Sequence, residues 1–139
     1  MTIKVNIKQL GKKKSKIAEA PFKLENSPVT VKELISEAVH TCVTEYNRRV
    51  EKGEAAEPLS AAEINDMSEI GKIAFGINYS GKKANEAAAL ENALQSYEDG
   101  LYRVFIGENE VGGLSDNIEL NENDSVTFIR LTMLTGRMW

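Results

Sequence analysis

Apolar and polar residues alternate along the first ten positions of the chain. Ile3, Val5 and Ile7 fall on one side of this pattern, which is typical of a strand with one buried face. A second alternating segment, residues 16–25, follows the sequence GKKKSK, in which Gly11 opens a turn. The N-terminal part of the chain therefore predicts a β-hairpin.

The next segment, SPVTVKELISEAVHTCVTEYNRRVEKG, changes to a helical period. Thr30 and Glu33 have the spacing of a capping box, in which side chains accept hydrogen bonds from free backbone N–H groups at a helix start. Gly53 lies just beyond the predicted end of the helix. One apolar stripe follows the cap. It consists of Val31, Leu34, Ile35, Ala38, Cys42 and Tyr46.

The middle of the chain is less regular. Ser60 and Glu63 form a second capping box and predict a short helix. Residues 72–80 alternate like a strand, but Gly76 weakens that pattern, so an extended connector is the alternative. The Ala-rich segment KKANEAAALENALQSYEDG predicts a helix that ends at Gly100.

The C-terminal part predicts strands that are separated by polar turns. LYRVFIG is apolar and aromatic, ENEVGG and NEND are turn sequences, and SVTFIRLTML reads as a long last strand. Side chains of a strand alternate between its two faces, so Phe128 and Arg130 share one face. We expect the opposite face, with Ile129, Leu131 and Met133, to join the hydrophobic core.

The order strand, strand, helix and then two or three strands resembles the β-grasp fold of ubiquitin-like domains. SPVTVKELI resembles the capped entry into their main helix, and RVFIGENEVGG resembles their third strand followed by a short fourth strand. LSDNIEL resembles the loop before their last strand, and NDSVTFIRL resembles that strand. The resemblance implies an α+β fold with a mixed sheet of four to five strands packed on one main helix. Its first and last long strands would lie side by side.

One departure from the ubiquitin-like pattern is the length of the connection between the main helix and the third strand. Residues from about 52 to 100 form this connection, and we expect them to add two helices. A chain of 139 residues without a Pro-rich or low-complexity linker has the size of one domain. We therefore expect residues 1–139 to form a single domain with a helical insertion.

The C-terminus is a second departure from the family. Ubiquitin and the related sulfur carriers end in Gly-Gly, and a residue without a Cβ lets the chain enter a narrow enzyme slot. Here Gly136 is followed by a bulky tail, Arg137, Met138 and Trp139. A terminal glycine would therefore be exposed only by cleavage after Gly136.

The apolar end of this tail predicts a contact with another protein. Trp and Met are among the residue types that are enriched at protein interfaces. The predicted partner-binding residues come from the last strand and from the tail. They are Phe128, Arg130, Arg137, Met138 and Trp139. The alternative is that Trp139 folds back against the inserted helices, where its burial would stabilise the fold by about 2–3 kcal/mol.

Charge is unevenly distributed along the chain. Residues 1–26 contain seven lysines and two glutamates and carry +5, so the remaining residues carry −9 to give the net charge of −4. A basic edge could meet an acidic partner, but lysines on an edge strand also keep a hairpin soluble, and we favour that interpretation. The pI of 5.2 and the absence of aromatic residues among these lysines argue against nucleic-acid binding.

Membrane insertion and secretion are not expected from the sequence. No continuous apolar run is long enough to span a bilayer, and the alternating N-terminus does not resemble a secretion signal. The single cysteine, Cys42, excludes an internal disulfide and fits a reducing compartment. We therefore expect a cytoplasmic protein.

No catalytic set emerges from the sequence. His40 precedes Cys42 by two helical positions, about 200° around the axis, so a nucleophile–base pair between them is disfavoured. One cysteine and one histidine do not make a zinc site, and no complete phosphate loop is present. We expect no enzyme, cofactor or metal. An enzyme that uses Asp66 or Glu69 in the insertion is the least favoured alternative.

Two functions follow from the resemblance and the tail. The leading hypothesis is a non-enzymatic ubiquitin-like adaptor that binds a protein partner through its sheet face and its apolar C-terminal tail. The alternative is a ubiquitin-like protein modifier or sulfur carrier that is activated after processing at Gly136.

Overall fold

The computed structural model describes residues 1–10, 16–51 and 85–131. These residues form an α+β fold in which an open, mixed, five-stranded sheet packs against a helix. In chain order the elements are β1 (Thr2–Leu10), β2 (Lys16–Lys23), α1 (Val31–Glu51), α2 (Glu86–Glu98), β3 (Tyr102–Ile106), β4 (Asn109–Glu110) and β5 (Ser125–Leu131).

The strands lie in the order β2-β1-β5-β3-β4. β1 pairs antiparallel with β2, which confirms the predicted hairpin, and parallel with β5. β3 pairs antiparallel with both β5 and β4. The first and last strands are therefore neighbours at the centre of the sheet, an arrangement that is compatible with a β-grasp-like fold.

The register of the central pair places apolar side chains on the same face of the sheet. Val5 is opposite Val126 and Ile7 is opposite Phe128, and all four side chains are fully buried. Each such burial stabilises the fold by about 1.5–3 kcal/mol. Every residue of the predicted helical stripe is buried as well, so α1 covers this face as expected.

Side-chain caps and a distant loop satisfy the first N–H groups of α1, which have no partner within the helix. The amide of Glu33 donates to Thr30 Oγ1 at 3.2 Å, and Glu33 Oε1 accepts from the amide of Val29 at 3.0 Å. The capping box is thus confirmed, although the Glu33 carboxylate reaches Val29 rather than Thr30. The amides of Val31 and Lys32 donate to carbonyl groups of the loop between β4 and β5.

This loop, residues 111–124, holds the start of α1 through its backbone. Asp116 O accepts from the amide of Val31 at 3.1 Å, and the amide of Ile118 donates to the carbonyl of Val29 at 2.9 Å. The Asp116 carboxylate accepts from the amide of Gly113 at 3.0 Å. A Cβ at Gly112 would collide with that carboxylate, so a larger residue there would force the Asp116 side chain to move.

α2 confirms the predicted Ala-rich helix and its glycine stop. Asn85 caps its start by accepting a hydrogen bond from the amide of Ala88 at 2.9 Å. Gly100 follows its end with a φ of +77°, a conformation that favours glycine. α2 is held in place further along its length. Ala93 is fully buried there, and the Ala93 carbonyl accepts a hydrogen bond from the Tyr102 hydroxyl at 2.7 Å.

Several predicted features lie outside the described residues. They are the turn after β1, the short helix that begins near Ser60, the possible strand at 72–80 and the end of the last strand beyond Leu131. β4 corresponds to the short fourth strand that the family resemblance implies, within a segment that reads locally as a turn. Neither α1 nor α2 is long and apolar enough to cross a membrane.

Candidate functional site

The sheet has a second face that points away from α1, which we call the outer face. Strand alternation places every residue that neighbours a buried strand residue on this side. Pairing across the strands aligns these side chains in rows, with Lys4 opposite Ser125 and Phe105 opposite Thr127. On β1, β3, β4 and β5 the outer face comprises Thr2, Lys4, Asn6, Lys8, Arg103, Phe105, Glu110, Ser125, Thr127 and Ile129.

Basic groups dominate the charge of the outer face, although the chain as a whole is acidic. Lys4 and Arg103 are exposed and Lys8 is half-buried, whereas Glu110 is the one carboxylate among the outer-face residues. Arg103 Nη1 lies 3.5 Å from Glu110 Oε1, and both side chains are about half exposed. An ion pair this exposed contributes little stability and leaves Arg103 accessible to another charged group.

Two apolar side chains lie within this charged surface. Phe105 pairs with Thr127, and Ile129 is two residues further along β5, so the two are diagonal neighbours on the same face. Both are half-buried. A small apolar centre with a polar, charged rim is the general anatomy of a protein interface.

A side-chain hydrogen bond stiffens the centre of this surface. Asn6 Nδ2 donates to Ser125 Oγ at 2.8 Å and joins β1 to β5 in addition to their backbone pairing. The outer-face residues include no histidine or cysteine that would act as a base or nucleophile.

The structure places the predicted site residues of the last strand differently from the prediction. Phe128 is fully buried, with its ring centroid 6.1 Å from that of Tyr102. Arg130 is opposite Tyr102 on the helix-facing side and is half-buried. Burial lowers the pKa of its guanidinium group, an effect that the neighbouring Tyr102 partly opposes. Neither side chain belongs to the outer face.

The predicted orientation of β5 is therefore wrong for a physical reason. Both faces of this strand carry apolar residues, so alternation alone does not say which face is buried. Parallel pairing with β1 decides the matter, because Ile7 aligns with Phe128 and Lys8 aligns with Ile129. The apolar row of β1 thus brings Phe128 into the core and leaves Ile129 on the outer face.

The predicted tail residues are not part of the described chain. Arg137, Met138 and Trp139, as well as the possible processing position Gly136, lie beyond Leu131. Their role in partner binding stays a prediction.

The predicted separation of His40 and Cys42 is confirmed. Cys42 is buried, and burial raises the pKa of its thiol to about 12, so it is not a nucleophile at neutral pH. The His40 ring is partly exposed and contacts two carboxylates, those of Glu25 and Glu86. Sequence reasoning placed His40 at the surface but did not anticipate these partners, because both are distant along the chain.

A cavity of about 520 Å³ opens beside the outer face, between α2 and β4. Tyr97 closes one side of the cavity, and its hydroxyl donates a hydrogen bond to the carbonyl of Gly112. Partial burial raises the pKa of this hydroxyl. Glu98, Arg103 and Glu110 bring charges of both signs to its wall. Across residues 1–10, 16–51 and 85–131 no group of three His, Cys, Asp or Glu side chains could hold a metal ion.

Comparison with known proteins finds no matching family model, no matching curated protein and no matching solved structure.

Proposed function

We propose that this protein is a non-enzymatic, ubiquitin-like interaction module that binds a protein partner through the outer face of its sheet. The observation that carries the proposal is the strand order β2-β1-β5-β3-β4 with a parallel central pair and α1 on one side. That order agrees with the β-grasp arrangement that the sequence resemblance implies. The other side of the sheet is then the surface available to a partner.

The chemistry of the outer face indicates what such a partner would present. Lys4, Lys8 and Arg103 would attract carboxylates, whereas Phe105 and Ile129 would accept an apolar side chain. The favoured partner is therefore a protein segment in which acidic residues flank an apolar one. Steering by these charges would raise the association rate and make it sensitive to salt.

The C-terminal tail is the second part of the proposed interface. It follows β5, which occupies the middle of the outer face, so a partner that covers Ile129 would lie next to the chain that continues beyond Leu131. Trp139 and Met138 would then add the large apolar contacts that dominate many interfaces.

Co-purification from the native cell tests the proposal. Wild-type protein is compared with a K4E/R103E variant and with a chain that lacks residues 137–139. We expect both changes to reduce capture of the same partner, and the loss caused by the double charge reversal should become smaller as the salt concentration rises. Lys32→Glu is the matched control, because Lys32 is exposed at the start of α1 and away from the outer face.

Two results would contradict this function. Partner capture that is unchanged in both altered chains, with the fold intact, would exclude the outer face and the tail as the interface. A native chain whose mass corresponds to loss of residues 137–139, or to a conjugate through Gly136, would instead indicate a processed modifier or sulfur carrier.

A further inference from the structure

One histidine holds together three segments that are far apart in the sequence. His40 lies on α1, Glu25 lies between β2 and α1, and Glu86 is the first residue of α2. His40 Nε2 is 2.7 Å from Glu25 Oε2, and His40 Nδ1 is 2.9 Å from both carboxylate oxygens of Glu86. Each ring nitrogen therefore faces a carboxylate.

This geometry favours the charged form of the ring. A neutral imidazole has one N–H donor and one lone pair, whereas an ionised carboxylate only accepts hydrogen bonds. Both contacts of His40 are consequently attractive only when the ring carries two protons. The pKa of His40 is raised accordingly, chiefly by its hydrogen bond to Glu25 and then by that to Glu86, and partial burial opposes the shift.

The neighbouring charges are arranged around the same contact. Lys23 and Glu45 line a cavity of about 250 Å³ together with Glu25 and His40. Glu37 accepts from the backbone amides of Glu25 at 3.1 Å and Asn26 at 3.3 Å, which fixes the position of the Glu25 segment. Among the described residues around this contact, carboxylates outnumber the one lysine, and their negative charge favours the protonated imidazole ring.

Glu86 places one end of the contact at the start of α2. Ala93 and Ser96 in the second half of this helix are buried, whereas residues 85–88 at its start are exposed. Ala89 is the partly buried side chain of the first turn that packs against the core, so little apolar area holds the turn in place. The His40 contact is the ion pair that the structure describes between this turn and α1.

We propose that Glu25, His40 and Glu86 form a proton-controlled latch that docks the first turn of α2 onto α1. When the ring loses its second proton, one nitrogen presents a lone pair to carboxylate oxygens less than 3 Å away. The neutral ring retains its hydrogen bond to Glu25, because that contact is shorter than the one to Glu86 and because the Glu37 carboxylate holds the backbone of Glu25 in place. Glu86 then separates, and the first turn of α2 loosens where the chain enters it from residues 52–84.

The direction of the pH effect follows from the raised pKa. Stability from the latch is fully present below the ordinary histidine value of 6.5, where the ring is charged in folded and unfolded chains alike. It is lost as the pH rises through the higher pKa of the folded state. Mild alkalinisation therefore opens the latch, and this does not depend on whether the outer face has a partner.

NMR titration tests the first half of the proposal. His40 is the one histidine of the chain, so its ring signals need no further assignment. We expect a midpoint above 6.5 in the wild type and a lower midpoint in both Glu25→Gln and Glu86→Gln. Glu91→Gln is the control, because Glu91 is an exposed carboxylate of the same helix. A wild-type midpoint at or below 6.5, or one that neither variant lowers, would overturn the latch.

Amide exchange tests whether the proton controls the helix. The amides of Ala88 and Ala89 bond to Asn85 in the first turn, and the amide of Asp99 bonds to Gln95 at the other end. Between about pH 5.5 and about pH 9, the protection factors of Ala88 and Ala89 should fall relative to that of Asp99. In His40→Gln, which is neutral throughout, the ratio should be low and independent of pH. An equal ratio at both pH values in the wild type would disprove the proposal.

Discussion

The two faces of the sheet are made from the same strands but have opposite chemistry. On the helix-facing side, Val5, Val126 and Phe128 are fully buried beneath α1. On the outer face, the residues between them include exposed Lys4 and half-buried Thr127. The comparison shows that the helix-facing side of β1 and β5 is buried in the core, whereas their other side carries polar and charged groups.

Truncation of an aromatic side chain on each face gives the largest contrast. Phe128→Ala removes a fully buried ring and should destabilise the fold by about 3–5 kcal/mol. Phe105→Ala removes a half-buried ring from the outer face and should cost only about 1 kcal/mol. Urea unfolding of both variants measures the difference. Equal losses would mean that the outer face is packed as a second core.

The loop that closes the helix-facing side provides the next test. Gly112→Ala places a Cβ against the Asp116 carboxylate and displaces its hydrogen bond from the amide of Gly113. The expected loss is about 1–2 kcal/mol. Gly113→Ala is the matched control, since a Cβ there meets no heavy atom within 4 Å. A smaller effect at Gly112 than at Gly113 would contradict this account of the loop.

Removal of the helix cap should have a somewhat smaller effect on the same side. Thr30→Ala leaves the amide of Glu33 without its hydroxyl acceptor and should cost about 1 kcal/mol. Thr41→Ala is a useful comparison, because Thr41 lies inside α1 and its hydroxyl donates to the carbonyl of Glu37. Thermal unfolding should show the cap variant to be the less stable of the two. The opposite order would mean that the loop carbonyls, rather than Thr30, set the start of α1.

Local sequence signals predicted the elements on the helix-facing side. The alternation of Ile3, Val5 and Ile7 identified the buried face of β1, and the stripe with Thr30 at its start identified α1. Such signals are contained within one segment, so the sequence carries them directly. β4 is too short for any periodicity and was implied only by the family resemblance.

Features that depend on pairing between distant segments could not be predicted in the same way. The buried face of β5 was assigned incorrectly, because its choice depends on alignment with β1. The outer-face group of Arg103, Phe105 and Glu110 was missed, although alternation with the buried residues Tyr102 and Val104 was a usable signal. The contact of His40 with two carboxylates required three segments to meet, which no spacing in the sequence indicates.

The variant with the smallest expected effect on stability gives the clearest test of whether the outer face binds without contributing to the fold. Arg103→Ala breaks an exposed ion pair with Glu110 and should change the free energy of unfolding by less than about 0.5 kcal/mol. If the outer face binds an acidic partner, the same change should weaken binding and reduce its salt dependence, because a steering charge is lost. Glu110→Gln breaks the same pair but leaves the positive charge, so binding should be retained. Loss of binding in Glu110→Gln but not in Arg103→Ala would reverse the assigned charge of the partner.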